Sequence, residues 1–112
     1  MDDSNSLVID AQGGTILPGL IESYFHATYF NVATLENLDL KYPVQYVTLL
    51  ASQNAACALE HGYTSIRSGG SLFNIDVGHK KAIAEEVVKG PRLTASGREI
   101  CGVSGLMYWF YW

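Results

Sequence analysis

The sequence has little charge, little cysteine and no long hydrophobic run. Charged residues make up 16% of its 112 residues, and the net charge is −4. This mildly acidic balance leaves no basic patch to neutralise phosphates, so we expect no nucleic-acid partner. A run of about 18 consecutive apolar residues is also absent, so we expect no transmembrane helix and no membrane partner.

The chain has two cysteines and an N-terminus without a signal-like pattern. Cys57 and Cys101 are far apart in sequence and do not have the spacing of metal ligands. We therefore expect two free, buried thiols in a reducing compartment rather than a disulfide. The first five residues, MDDSN, have neither the basic region nor the apolar core of a secretory signal. Both features predict a cytoplasmic protein.

Apolar residues are plentiful, at 48% of the chain, which is enough for the core of one small domain. The aromatic residues are unevenly placed, because both tryptophans lie in the last five residues, YWFYW. A free terminus is usually polar and mobile. This segment therefore either packs back on the domain, was part of a larger one, or is not a natural end.

The order of the predicted elements favours an α/β fold. From the third strand onward, strands alternate with helices, which is typical of a parallel sheet with helices outside it. Asp76 is expected to cap the second helix, and Gly90-Pro91 to stop it. The predicted strands are Leu7–Ile9, Thr15–Leu17, Leu20–Phe25, Tyr63–Arg67 and Arg92–Ser96, and the predicted helices run from Pro43 to Gly62 and from Asp76 to Lys89, with residues 27–42 mostly loop.

Polar side chains alternate along the third strand. The period of two predicts that Leu20, Glu22, Tyr24 and His26 share one face. A carboxylate and an imidazole on one strand can be the edge of a metal site. A lone His near a strand end is, however, more often a structural or surface residue than a ligand, and in an ordinary strand Glu22 would cap a neighbouring backbone group and Tyr24 would pack in the core.

Other polar residues have simpler interpretations. We expect His61 to interact with the C-terminal dipole of the first helix and His79 to be solvated on a charged helix. Arg67, at the end of a strand, is either a buried ion-pair partner or a substrate anchor. No nucleophilic triad is recognised, because Ser104 lacks the strand-to-helix elbow, and the Gly-rich segments match no phosphate-binding pattern.

Three segments in register resemble one family. "VIDAQGGTILPGLIESYFHATY", "ALEHGYTSIRSGG" and "VKGPRLTASGREI" resemble the start of the metal-dependent amidohydrolases. The likeness covers about residues 8–105. The last two segments are most similar to the branch that includes imidazolonepropionase-like enzymes, Xaa-Pro and Xaa-Arg dipeptidases and ochratoxin-type amidases.

The resemblance implies a fold and a reaction. Residues 1–17 would be the end of a small β-sandwich and the entry strand, and residues 18–112 part of a (β/α)₈ TIM barrel. About three of its eight strands would be present, because such a barrel needs roughly 250 residues. The implied reaction is hydrolysis of a C–N bond in an amide or dipeptide by a metal-activated water, usually with one or two zinc ions.

The resemblance assigns one metal ligand and leaves its partner missing. His26 matches the second His of the family's His-x-His pair, whereas Tyr24 stands at the position of the first. Glu22 and Ser68 also stand where the family has, or commonly has, Asp. A neutral phenol is a poor zinc ligand, since its pKa is near 10. The family's remaining ligands would lie beyond residue 112, so no catalytic residue is assigned within this chain.

Two functional hypotheses therefore remain open. In the first, the chain is a fragment of a cytoplasmic metal-dependent hydrolase that is inactive alone, with Arg67 as a candidate substrate-binding residue and a small amide or dipeptide as substrate. In the second, it is a small α/β binding or assembly module that has lost the metal site. A homo-oligomer is compatible with both.

Overall fold

Three parallel strands and two helices make up the regular secondary structure of the described residues, apart from one short 3₁₀ turn. The structure is a computed structural model that describes residues 6–30, 33, 42–100 and 102. In chain order the elements are β1 (Leu20–Phe25), α1 (Val44–Glu60), β2 (Tyr63–Ser68), a short 3₁₀ turn (Leu72–Asn74), α2 (Ile75–Ala84) and β3 (Arg92–Thr94).

The strands form one sheet in the order β1-β2-β3, and both neighbouring pairs are parallel. Ile66 of β2 is opposite Leu93 of β3, and both side chains are buried. The helices connect successive strands, as parallel neighbours require. The predicted α/β class with a parallel sheet is confirmed, whereas closure of the sheet into a barrel stays a prediction.

Helix α1 follows the sequence pattern closely. Pro43 precedes its first residue, where the missing N–H does no harm. Val47, Ala51 and Ala55 are its buried residues, and their small side chains permit close packing. Gly62, with a φ of +89°, allows the chain to turn out of the helix into β2.

Helix α2 is shorter than predicted, ending at Ala84 rather than near Lys89. Glu86 has a φ of +59°, and the N–H groups of Val87 and Val88 turn back to the Ala82 carbonyl. The helix therefore stops well before Gly90-Pro91. The predicted cap is also wrong, because Asn74 occupies the N-cap and Asp76 lies in the first turn.

The two strands predicted before β1 are absent. Leu7–Ile9 and Thr15–Leu17 form no strand, and Leu7, Val8 and Ile16 are each more than 80% exposed. A strand needs a neighbour for its backbone groups, and no described segment pairs with these residues. Between them, residues 11–14 form a turn, with Gly14 N–H donating to the Ala11 carbonyl. The β-sandwich assignment of residues 1–17 stays a prediction.

Several predictions fall on residues outside the described ranges. They concern most of the loop at 31–41, Cys101, Ser104 and the aromatic segment 108–112. Among the residues that are described, no helix is both long enough and apolar enough to cross a membrane.

Candidate functional site

A bulge in β1 changes which side chains share a face. Glu22 pairs with Ile66 and Phe25 with Ser68, so three residue steps on β1 match two on β2. Since Ile66 and Ser68 lie on one face of β2, Glu22 lies on the same face as Phe25. The prediction that Glu22 shares a face with Tyr24 is therefore wrong, whereas Glu22 and His26 do line one cavity.

Glu22 has a local role at this bulge. Its Oε1 accepts a hydrogen bond from the Tyr24 N–H at 3.0 Å. A bulge leaves a backbone group unpaired by the neighbouring strand, and the carboxylate supplies the missing acceptor. Of the two interpretations of Glu22 that the sequence allowed, backbone capping is confirmed.

His26 follows the end of β1 and is fixed by one backbone contact. Its Nδ1 lies 3.1 Å from the Gly70 carbonyl oxygen, in the loop after β2. A carbonyl can only accept, so Nδ1 carries the proton and Nε2 has the free lone pair. Metal-ligating histidines commonly have this arrangement, in which the second nitrogen donates to a backbone carbonyl.

Two tyrosines and a glycine surround the imidazole. The Tyr29 ring stacks on His26 with centroids 4.3 Å apart, and the Tyr24 ring meets it edge-on at 4.9 Å. A Cβ on Gly69 would lie 2.6 Å from Tyr24 Cε2 and 2.9 Å from His26 Nε2. The absence of a side chain at Gly69 therefore lets both rings pack closely against the backbone of the loop after β2.

The described residues do not complete a metal site. No group of three or more His, Cys, Asp or Glu side chains in the described ranges could hold a metal ion. A catalytic zinc has about three protein ligands, and His26 supplies one. Tyr24, which replaces the expected partner, has an exposed ring that contacts His26 edge-on. Here the tautomer of His26 fits a metal ligand, whereas the donor set around it does not.

Arg67 lies on β2 with an exposed side chain. Its Nη1 donates a long hydrogen bond, 3.4 Å, to the Ser23 carbonyl of β1. The prediction of a buried ion pair is therefore wrong. An exposed guanidinium leaves the substrate-anchor hypothesis as a prediction.

The second and third histidines differ from each other. His61 caps the C-terminus of α1, with Nδ1 2.8 Å from the Cys57 carbonyl, as predicted. His79 is only 4% exposed, so the prediction of a solvated side chain is wrong. It faces α1, where its Nε2 lies 2.6 Å from Ser52 Oγ. Burial lowers its pKa below 6.5, and the Asp76 carboxylate opposes that shift.

A cavity of about 470 Å³ lies between β1 and α1. Its lining includes His26, Tyr29, Cys57 and His61. Cys57 is exposed rather than buried, because it borders this open cavity. It remains a free thiol, as predicted. The thiol lies 3.6 Å from His61 Nδ1, which is already committed to a backbone carbonyl.

The loops after β2 and β3 are connected by hydrogen bonds that the sequence patterns did not indicate. Asp76, 2% exposed, accepts hydrogen bonds from the Ser96 and Gly97 N–H groups at 2.9 and 3.0 Å. The Gly97 carbonyl in turn accepts from the Ser71 N–H at 2.8 Å. An Asp in the first helical turn and a Gly-Gly pair after a strand were the available signals, but neither predicts these partners.

Comparison with known proteins gives matches among solved structures. No protein-family model matches the chain, and no curated protein does. A crystal structure of an amidohydrolase is 35% identical, with a TM-score of 0.73 over 88% of this chain. A crystal structure of an uncharacterised protein is 29% identical, with a TM-score of 0.72 over 87% of this chain.

A third match is a crystal structure of an Xaa-Pro dipeptidase with methionine bound in its active site. It is 27% identical, with a TM-score of 0.64 over 74% of this chain. The chain spans 22%, 23% and 20% of the lengths of these three proteins, about a fifth of each. The resemblance drawn from the sequence is thereby confirmed: this chain is similar to an amidohydrolase and to an Xaa-Pro dipeptidase over about one fifth of the length of each.

Proposed function

We propose that this chain is part of a metal-dependent hydrolase that acts on C–N bonds in small amides or dipeptides. The similarity to an amidohydrolase and to an Xaa-Pro dipeptidase supports this reaction class. Amidohydrolases are generally metal-dependent, and zinc is the metal that we propose. The alternative, a binding or assembly module without enzymatic activity, is not favoured by these matches.

The observation that carries the proposal is the state of His26. Its Nδ1 donates to the Gly70 carbonyl, so in this tautomer the lone pair of Nε2 is left for a ligand. An isolated surface histidine does not need this contact. We propose that His26 is a metal ligand in the complete active site, with its remaining partners outside the described residues.

Tyr24 explains why we expect the 112-residue chain to be inactive alone. It stands where the family has the first His of the pair, and its neutral phenol does not replace an imidazole on zinc. Arg67 is proposed as a substrate anchor, because an exposed guanidinium can pair with a substrate carboxylate. The proposed setting is the cytoplasm.

A chimeric enzyme tests the proposal directly. The matched segment of the Xaa-Pro dipeptidase is replaced by that of this chain, either unchanged or with Tyr24→His. Zinc content is measured by mass spectrometry, and hydrolysis of an Xaa-Pro dipeptide by release of proline. We expect Tyr24→His to raise both readouts, with hydrolysis increasing at least about tenfold, because the second imidazole restores a zinc ligand.

Two further chimeras provide the controls. Adding His26→Ala to Tyr24→His should abolish the gain, whereas Tyr63→His, a matched change on β2, should leave zinc content and rate at the unchanged level. If the Tyr24→His, His26→Ala chimera binds zinc and hydrolyses the dipeptide as well as the Tyr24→His chimera, His26 is not a ligand and the proposal is wrong.

A further inference from the structure

Asp76 is a buried carboxylate whose main contacts are backbone groups. Its side chain is 2% exposed, and Oδ2 accepts hydrogen bonds from the N–H groups of Ser96 and Gly97. These two residues follow β3, whereas Asp76 lies in the first turn of α2. Burial of a charge is costly unless charge-assisted hydrogen bonds compensate, so this attachment holds the loop after β3 firmly.

The attachment continues into a closed ring of three hydrogen bonds. Gly97 N–H donates to Asp76 Oδ2, the Gly97 carbonyl accepts from Ser71 N–H, and Ser71 Oγ accepts from Asp76 N–H at 3.2 Å. The ring joins the start of α2 to the loops that follow β2 and β3. A cyclic set of bonds defines a position more narrowly than any single bond does, because no member can move alone.

One peptide group connects this ring to His26. The Ser71 N–H and the Gly70 carbonyl belong to the same planar unit. Its N–H donates to the Gly97 carbonyl, and its carbonyl oxygen accepts from His26 Nδ1. In a trans peptide these two groups point in opposite directions, so fixing the N–H side also fixes the carbonyl side. Ser68 Oγ lies 3.3 Å from both Gly70 N and Gly70 O, so it also contacts this segment.

We propose that Asp76 is a positioning residue for His26: acting through Gly97 and the Gly70–Ser71 peptide, it maintains the carbonyl that keeps the proton on His26 Nδ1. The value of this tautomer for metal binding rests on the proposed function. The chain of hydrogen bonds does not, because it can be measured without metal or substrate.

The ¹⁵N shifts of the histidine rings in the full chain, at a fixed pH near 8, test this proposal. We compare the unchanged protein with Asp76→Asn and Asp76→Leu. The Asn side-chain oxygen can still accept from Ser96 and Gly97, and its NH₂ takes the place of Oδ1, which has no partner among the described residues. The expected result is the Nδ1–H pattern for His26 in the unchanged and Asn proteins. The Leu protein should shift towards the Nε2–H form that dominates in a solvent-exposed, neutral histidine side chain.

His61 is the internal control. Its Nδ1 donates to the Cys57 carbonyl within α1, independently of the loops. It should keep its Nδ1–H pattern in all three proteins, which separates a local loss at His26 from unfolding. If Asp76→Leu leaves the His26 pattern unchanged, Asp76 does not position His26.

Amide exchange in the unchanged protein covers the case in which Asp76→Leu does not fold. The proposal requires Ser71 and Gly97 N–H groups to exchange at least about tenfold more slowly than unbonded loop amides. If the Ser71 and Gly97 N–H groups exchange as fast as unbonded loop amides, the proposal is wrong. Failure of zinc binding in the dipeptidase chimera leaves both readouts unaffected, so the two proposals can fail separately.

Discussion

His79 shows how a single buried side chain makes stability depend on pH. Its ring is 4% exposed and lies between α1 and α2, with Nε2 near Ser52 Oγ and with Nδ1 lacking a partner among the described residues. Desolvation lowers its pKa, and the Asp76 carboxylate, on the same helix, acts in the opposite direction. The group of α1 that contacts the ring, the Ser52 hydroxyl, is uncharged.

We expect acid to destabilise the protein through this residue. Because the folded-state pKa lies below the unfolded value of 6.5, the unfolded chain takes up the proton first as the pH falls. The stability that neutral, buried His79 contributes is complete above pH 6.5, and it is lost as the pH drops through the lowered folded-state pKa. Urea unfolding at several pH values between about 8 and 5 measures the free energy. His79→Leu should reduce the acid-induced loss.

The matched control for this prediction is His61→Leu, at the exposed end of α1. That variant should lose as much stability on acidification as the unchanged protein. Equal losses in the His79→Leu and unchanged proteins would show that His79 does not account for the pH dependence.

At the scale of elements, α2 contains an avoidable weakness. Gly78 lies in its second turn, and a Cβ added there meets no atom within 4 Å. Glycine in a helix costs about 0.5–1 kcal/mol relative to alanine, because its backbone loses more freedom on folding. We therefore expect Gly78→Ala to raise the free energy of unfolding by about that amount, measured by urea titration.

Gly62 provides a control with the opposite sign. A Cβ there also meets no atom within 4 Å, but the backbone has a φ of +89°. Alanine is strained in this region, so Gly62→Ala should lower the free energy of unfolding by about 1 kcal/mol. If both variants shift stability in the same direction, the backbone argument is wrong for one of the two positions.

Elements with local signals could be predicted from sequence, and elements that depend on distant partners could not. Pro43 and Gly62 bracket α1, and β-branched or aromatic residues indicate β1 and β2. The early end of α2 depends on Glu86 adopting a left-handed conformation, which no pattern in the sequence indicates. Leu7–Ile9 has the composition of a strand, but a strand also needs a partner.

The candidate site likewise has some features that could be predicted from the sequence and others that could not. The position of His26 followed from a motif, whereas its contact with Gly70 joins residues 44 positions apart and has no local signature. Strict alternation placed Glu22 on the same face as Tyr24, but the bulge in β1 puts the two side chains on opposite faces. His79 was expected in solvent because lysines follow it. Its burial depends on how α2 meets α1, which a charge pattern does not specify.

At the scale of the whole molecule, much apolar surface is exposed. Strand β1 has a neighbour on one side only within the described residues, and its Leu20 and Ile21 are 50% and 72% exposed. An uncovered strand edge next to apolar side chains is a template for pairing with another chain. The possibility of a homo-oligomer, raised by the sequence, therefore has a specific surface associated with it.

We expect the isolated 112-residue chain to self-associate through β1, and Ile21→Lys to weaken this association. A lysine on an edge strand opposes pairing, because a second copy would bury or repel its charge. Sedimentation velocity over a concentration series measures the change. Val87→Lys is the matched control, since Val87 is 71% exposed but lies in the turn after α2. It adds the same charge, so a general gain in solubility would appear equally in both variants. If the β1 edge is responsible, only Ile21→Lys weakens the association and Val87→Lys leaves it unchanged. If the unchanged chain is monomeric at every concentration, the β1 edge does not pair with a second copy and the prediction is wrong.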